Sequence, residues 1–539
     1  MNRIIAITGP SGAGKTTLGL SLLERGLIVK QSTTRDKRID DDENAFRYLS
    51  HDEFLKLACD DKFLFWSGDS AEIKKENGNF YGILKEDFEN ALGENKNLIM
   101  FVSYKDIDAL LEIKKKIKID IVTLTFKNFE TIRERIQNRS IDVDKRIESA
   151  KAYEEEFGDR AKTCSDVVIY TDELGIEETR MKVIDTLRLN EKYYYIGFNA
   201  NNSICNENFF DGSFTLYPNN ESGNIYFKNE ICDTSKEFYD EYKKFVLSNI
   251  TPDMKLYAFN SKVRKLFEGD IKFENSNNEE VTNYLNNKFE LKKNLQEIIP
   301  VIPFEIVKGS EVKFNYKLVA QECTGSGGDT TIFVEKEEDL SLLKPDTDYA
   351  VSKYFKSNPL NATMIVSDNE IMFLALSMQL IKITDNKFKY IGADFEFANS
   401  LLDEIKEKVK DICFKVATHA KEKGYRGILG IDLMQNENEI YFTEVNPRFQ
   451  SSSFMISNEL KKYNLSVAHL NDIAMRREKL PEIEEVILHS SFINCNENSK
   501  LLENPDYEIR NGYFEKNITS IYRRCFNRSI SGEIDVQKA

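Results

Sequence analysis

Near the start of the chain, Gly9–Thr17 reads GPSGAGKTT, the composition of a loop built to hold phosphate. Gly9, Gly12 and Gly14 let backbone N–H groups converge on phosphate oxygens. Lys15 reaches the outer phosphates, Thr16 can ligate magnesium, and Thr16 and Thr17 open a helix whose dipole favours an anion. Far downstream, Asp432 and Glu444 stand twelve residues apart with Asn446 two further on, in GIDLMQNENEIYFTEVNPRFQSS. Hard oxygen groups in that number suit Mg²⁺ bridging phosphates better than a soft metal. Arg448 and Gln450 follow directly.

These groups need elements to position them. The loop follows an apolar run, Ile4 to Thr8, and precedes a helical pattern, the context a phosphate loop requires. Further β-branched runs at Leu98–Val102, Ile119–Thr125 and Val167–Tyr170 alternate with charged helical stretches, which predicts a parallel sheet wrapped by helices. A new strand starts at Tyr193–Phe198, Asn-rich turns mark the region that follows, and a lysine-rich helix opens at Lys288–Leu295. A long amphipathic helix spans about Leu401–Lys423. Behind it, Ile440, Phe442 and Val445 alternate with Tyr441, Glu444 and Asn446, which predicts a hairpin presenting its oxygen ligands together. The domains are accordingly placed at 1–190, 191–287 and 288–480, with an extension at 481–539 that reads less clearly.

Composition bounds the function. A chain of 539 residues with 41% apolar content can bury several cores. A formal charge of −16 argues against a broad grip on nucleic acid or anionic membrane. Eight cysteines without a CxxC pair and four scattered histidines give no zinc or disulfide frame, and reduced thiols suit the cytoplasm. The opening apolar run reads as a buried strand, not a signal peptide, and no stretch has the length of a membrane helix.

The wording of the loop, followed by STTRDKR at Ser32–Arg38 and GNFYG at Gly78–Gly82, resembles guanylate kinases across about residues 1–188. That resemblance implies that Arg35, Arg38 and Tyr81 hold the acceptor's phosphate, a geometry arginine forks suit. It also implies a shortened lid at Arg135–Arg146, with Arg139 and Arg146 facing the ATP phosphates. The departures fall where the family reads its base. Phe65 precedes Trp66 where the family has an acid, Ile83 replaces a small hydroxyl residue, Phe101 and Ser103 stand on the strand that carries aspartates, and Phe46 replaces a phosphate-contacting tyrosine. Guanine donors left unpaired against Phe and Ile would cost ~1–3 kcal/mol each. A different phosphorylated acceptor is therefore expected, with a true guanylate kinase or a degenerate, non-catalytic domain as the alternatives.

The rear block is similar to ATP-grasp ligases over 288–455. LVAQECTGSGGDTT resembles the family's glycine loop, with Gly325, Gly327 and Gly328; SKYF at Ser352–Phe355 resembles its adenine hinge, and SMQ at Ser377–Gln379 its acceptor-facing strand. The resemblance implies magnesium on Asp432, Glu444 and Asn446, adenine against Lys353 and Phe355, and Lys288 on the outer phosphates. Gln379, Arg448 and Gln450 would then face the carboxylate acceptor. Gln321 occupies a position where many members have a phosphate-binding lysine, and Lys292 or a neighbour is expected to compensate. Taken together, the sequence predicts an α/β multidomain chain: a P-loop parallel-sheet kinase domain, a pre-ATP-grasp α/β domain and an ATP-grasp α+β domain. ATP and Mg²⁺ are its expected cofactors. Its partners would be small molecules (a phosphorylated acceptor, a carboxylate and an amine) rather than nucleic acid or membrane, with homodimerisation left open.

Overall fold

The structure, a computed structural model, describes residues 3–37, 41–42, 45–67, 79–92, 97–114, 117–136, 143–197, 209–215, 224–227, 236–258, 261–325, 328, 330–496, 508–509 and 521–531. Two compact units emerge: Met1–Lys192 with two short later returns of the chain, and most of the remainder from Tyr193 onward.

In the first unit, five strands lie in the order Gly26–Ile28, Asn97–Phe101, Ile4–Thr8, Asp120–Thr125, Val167–Tyr170. Their pairings are all parallel. The strands are buried on both faces, as covered parallel strands must be. Ile5 and Ile7 point into one apolar cluster with Leu18, Val122 and Leu124, while Ile4 and Ala6 join another with Met100 and Ile121. The phosphate loop leaves the carboxyl end of Ile4–Thr8, and the helix Lys15–Ser21 follows it. A smaller sheet, ordered Phe46–Tyr48, Gln31–Thr33, Tyr81–Leu84, Phe63–Ser67, carries the STTR and YG segments side by side.

The second unit opens with a four-stranded sheet ordered Asn224–Tyr226, Gly212–Thr215, Lys192–Ile196, Met254–Ala258. The helix Lys236–Asn249 buries Phe238, Tyr242 and Val246 in the core of this region. Next comes a twelve-stranded sheet, in which Ile371–Thr384, Asn358–Val366, Gly427–Asn436 and Glu439–Asn446 are antiparallel neighbours toward one end. The helix Asp403–Glu422 buries Ile405, Val409, Ile412, Val416 and Ala420, spacings of three and four that put them on one face. Lys288–Leu295 joins the same core through Leu291 and Leu295.

The stretch after Lys479, least legible in the sequence, contributes strands Ser491–Asn496, Glu508–Ile509 and Ile521–Phe526 to this sheet through Lys387–Asp394. The Asp394 carboxylate accepts from the Ser529 hydroxyl at 2.8 Å and from the backbone N–H groups of Ile530 and Ser531 at 2.8 and 2.9 Å, tying the tail down. Among the described residues, no helix is long and apolar enough to cross a membrane.

Candidate functional sites

In the phosphate loop, Gly9, Gly12 and Gly14 all have positive φ, at 146°, 86° and 89°. At Gly9 a Cβ would also sit 2.2 Å from the Leu124 carbonyl, so both conformation and space require glycine. Lys15 folds back over the loop, donating to the carbonyls of Gly9 at 2.6 Å and Pro10 at 3.0 Å. Thr16 and Thr17 lie half-buried in the first turn of the helix.

Arg35 is buried and grips Asp41 in a fork, Nη1 to Oδ2 at 2.6 Å and Nη2 to Oδ1 at 2.7 Å. Its guanidinium lies over the Phe46 ring, 4.6 Å from the centroid, and 5.6 Å from that of Tyr48. Tyr48 donates to Asp41 at 2.6 Å. Burial pulls the Arg35 pKa down, but the hydrogen bond and charge of Asp41 outweigh it and hold the pKa above the usual value. Burial and Asp41 push the Tyr48 phenol up to about 12. Tyr81 stands opposite Thr33 in the strand pairing, within electrostatic reach of Arg35. Asp41 and Tyr48 escaped the sequence reading. Tyr48 shares a strand face with Phe46 by period two, which could have found it, whereas Asp41 lies in a loop without periodicity. Arg38 and Arg139 lie outside the described residues. Arg146 falls on the helix Val143–Tyr153.

Three of the residues that depart from the base-reading pattern, Phe65, Ile83 and Phe101, are core. Phe65 and Ile83 share an apolar cluster, and the Phe101 ring fills the space over Gly19, where a Cβ would lie 2.5 Å from it. The strand ends at Phe101, so Ser103 is not on it as expected; it caps the turn Tyr104–Asp106, its hydroxyl accepting from Lys105 N–H. Asp106 on that turn is buried and accepts from the Ser67 hydroxyl at 3.0 Å. Burial raises its pKa to about 7 against the opposing effects of Ser67, the Ser103 backbone and Lys105.

At the rear, Asp432 and Glu444 are register partners on the antiparallel hairpin Gly427–Asn436/Glu439–Asn446. A bulge lets the extra residue Thr443 shift the alternation, so Phe442 and Val445 both face the core while Glu444 stays on the site side. Thr443 donates its hydroxyl to the Asp432 carbonyl at 2.8 Å.

A polar chain in two segments, which meet where Asp432 and Glu444 stand in register, links the predicted residues. Lys288 Nζ lies 2.7 Å from Glu444 Oε2, which also accepts from Gln321 Nε2 at 3.0 Å. Gln321 Oε1 in turn accepts from Lys292 Nζ at 2.8 Å. Asp432 Oδ1 accepts from Asn361 at 2.6 Å and Gln379 at 3.0 Å, and its Oδ2 accepts from Asn446 at 2.9 Å. Asn446 Oδ1 accepts from Arg448 at 3.0 Å. Burial and then the Glu444 charge push Asp432 up to about 7, against Asn361, Asn446 and Arg448. Burial lowers the Arg448 pKa, with Asp432, Glu444 and Tyr390 opposing. Two carboxylates that repel each other, beside a carboxamide oxygen, are a donor set that a hard divalent cation fits.

The other predicted residues lie off this chain. Gln450 donates to Thr363 at 3.3 Å and covers Gly430, where a Cβ would meet its amide at 2.4 Å. Phe355 packs edge-on to Tyr441 at 6.0 Å, and the Lys353 ammonium lies 5.7 Å from the Tyr316 ring centroid. In the glycine loop, Gly325 and Gly328 have φ of 146° and 82°; Gly327 lies outside the described residues. Asn361 and Tyr390 were missed, since a lone polar residue within an apolar strand pattern carries no positional signal.

Comparison with known proteins agrees with this division. A guanylate kinase family model matches residues 1–189 and an ATP-grasp domain model matches 285–452. Guanylate kinase of Campylobacter jejuni strain RM1221 is 31% identical over 182 residues, 32% of this chain and 82% of that protein. Guanylate kinase of Mycoplasma genitalium is 32% identical over 160 residues, 28% of this chain, and the chain spans 62% of that relative's length. Among solved structures, an L-amino acid ligase from Bacillus licheniformis is 12% identical with a TM-score of 0.46, over 64% of this chain and 95% of that one. The chain thus belongs to the guanylate kinase family through residues 1–189 and carries an ATP-grasp domain at 285–452.

Proposed function

We propose that this chain is a bifunctional ATP-using enzyme, a phosphotransferase acting on a small phosphate-bearing acceptor in front and a carboxylate–amine ligase behind. The observation that carries the ligase reading is the row Lys288, Glu444, Asp432, Asn446 and Arg448, which sets cations beside the paired carboxylates of the hairpin. A carboxylate does not acylate an amine at neutral pH, because its leaving group would be an oxide. Transfer of the ATP γ-phosphate to it forms an acylphosphate, which the amine then attacks, releasing phosphate.

In this scheme Asp432, Glu444 and Asn446 would hold Mg²⁺, which neutralises charge on the phosphates. Lys288 would steady the outer phosphates. Arg448 would hold the carboxylate in line and stabilise the negative charge of the tetrahedral species. Gln379 and Gln450 would line the acceptor side, Lys353 and Phe355 the adenine. Oxygen-18 in the carboxylate of the true acid should appear in the released phosphate; label in AMP, with release of pyrophosphate, would mean adenylation and overturn the scheme.

In front, Lys15 and the glycine loop would hold ATP, while Arg35, with Asp41 fixing its fork, and Tyr81 would hold the acceptor's phosphate. Phe65, Ile83 and Phe101 supply no hydrogen bonds for a guanine edge, which favours an acceptor other than GMP. GMP turnover at a rate ordinary for a dedicated kinase would replace this reading with a true guanylate kinase.

A further inference from the structure

The rear site buries two lysines, Lys288 and Lys292. Lys288 lies against Glu444, and Lys292 against the Gln321 amide beside it. Lys288 and Lys292 share one face of the helix Lys288–Leu295, one turn apart. Their partners differ. Lys288 meets the Glu444 carboxylate directly, whereas Lys292 is hydrogen-bonded to the neutral Gln321 amide, whose other end reaches the same Glu444 oxygen.

Lys292 is only 8% exposed, and its ammonium lies 5.7 Å from the Phe304 ring centroid. Burying an ammonium on a neutral partner is costly unless an anion arrives to neutralise it. Burial, together with the charge of Lys288, lowers its pKa to about 8 although Glu444 opposes, as expected of a cation lacking a matched counter-charge. An amide oxygen is a weak enough partner to give up a lysine when a phosphate offers a charge-assisted bond.

We propose that Lys292 is a phosphate-binding residue of the rear nucleotide site, with Gln321 as the positioning residue that holds it beside Lys288 and Glu444. The inference rests on the reading of residues 285–452 as an ATP site. It assigns the charge at this place to the helix Lys288–Leu295 rather than to the strand Leu318–Glu322.

The test is photolabelling of the full chain with 8-azido-ATP, followed by peptide mapping, which separates label on residues 285–452 from label on 1–189. Lys292→Met should raise the half-saturating concentration for rear-site label by about tenfold or more, the scale of one charge-assisted bond, and leave front-site label unchanged. Competition by AMP, which lacks the outer phosphates, should stay near wild type, a pattern that mere loosening of the fold would not give. The exchanged pair Lys292→Gln with Gln321→Lys returns an ammonium to the same place and should recover most of the lost affinity. That pair also keeps the test decisive should Lys292→Met fold poorly. Rear-site label in Lys292→Met saturating as in wild type overturns the inference and leaves the ATP reading standing. Absence of rear-site label in the wild type overturns both.

Discussion

Arg448 is tied to the paired carboxylates through its neighbours: its Nη2 donates to Asn446, Asn446 donates to Asp432, and Asp432 stands in register with Glu444. If it stabilises the acyl transfer, Arg448→Ala should leave ATP binding nearly intact and cut ligase turnover by roughly two to three powers of ten, the scale of losing one such donor. An equal loss of ATP affinity, measured by the same photolabelling, would place the arginine on the nucleotide instead. In the front unit, Asp106 offers a pH test. Its folded pKa of about 7 stands above the ordinary 3.8, so the native state holds a proton that the unfolded chain releases. The stability this contributes is full below about pH 4 and is lost as pH rises toward 7, then stays flat. Asp106→Asn should remove that slope, so its melting temperature should gain on wild type between pH 5 and pH 8; parallel curves for the two proteins would refute the assignment. Most residues of the candidate sites could be proposed from the sequence because glycine loops and ordered motifs are local signals. Asp41 could not, because it lies in a loop without periodicity, and Asn361 could not, because its partner Asp432 lies 71 residues away and only the fold joins them.

The elements that hold these residues were visible where periodicity is strong: Ile4–Thr8, Lys288–Leu295, the helix Asp403–Glu422 and the closing hairpin. The tail was obscure because its first strand, Ser491–Asn496, finds its partner in Lys387–Asp394, about a hundred residues earlier, and no local pattern announces such a pairing. Two substitutions test the elements. Leu295 is fully buried under the helix bearing Lys288 and Lys292, so Leu295→Ala should cost about 2–5 kcal/mol in denaturant unfolding of the second unit. A loss below about 0.5 kcal/mol, the range of surface changes, would show that the helix is not anchored there. At Gly328, φ is 82° and a Cβ would fall 1.7 Å from the Phe388 carbonyl, so Gly328→Ala must displace the glycine loop. It should abolish rear-site nucleotide labelling while sparing the front site; wild-type labelling would mean that the loop does not close on phosphates.

At the scale of the whole molecule, the proposed function puts one ATP-using site in each of the two units. The phosphate loop and the Arg35–Asp41 fork belong to the first unit, and the Lys288-to-Arg448 row belongs to the second. If each site works within its own unit, the two chemistries should be separable by single substitutions. The direct measurement is an untargeted mass-spectrometric comparison of a small-molecule cell extract incubated with ATP and wild type, Lys15→Ala or Glu444→Ala. Wild type should generate a phosphorylated product and a condensation product. Lys15→Ala should lose only the first and Glu444→Ala only the second. Loss of both products from either substitution would contradict the account and indicate one composite site.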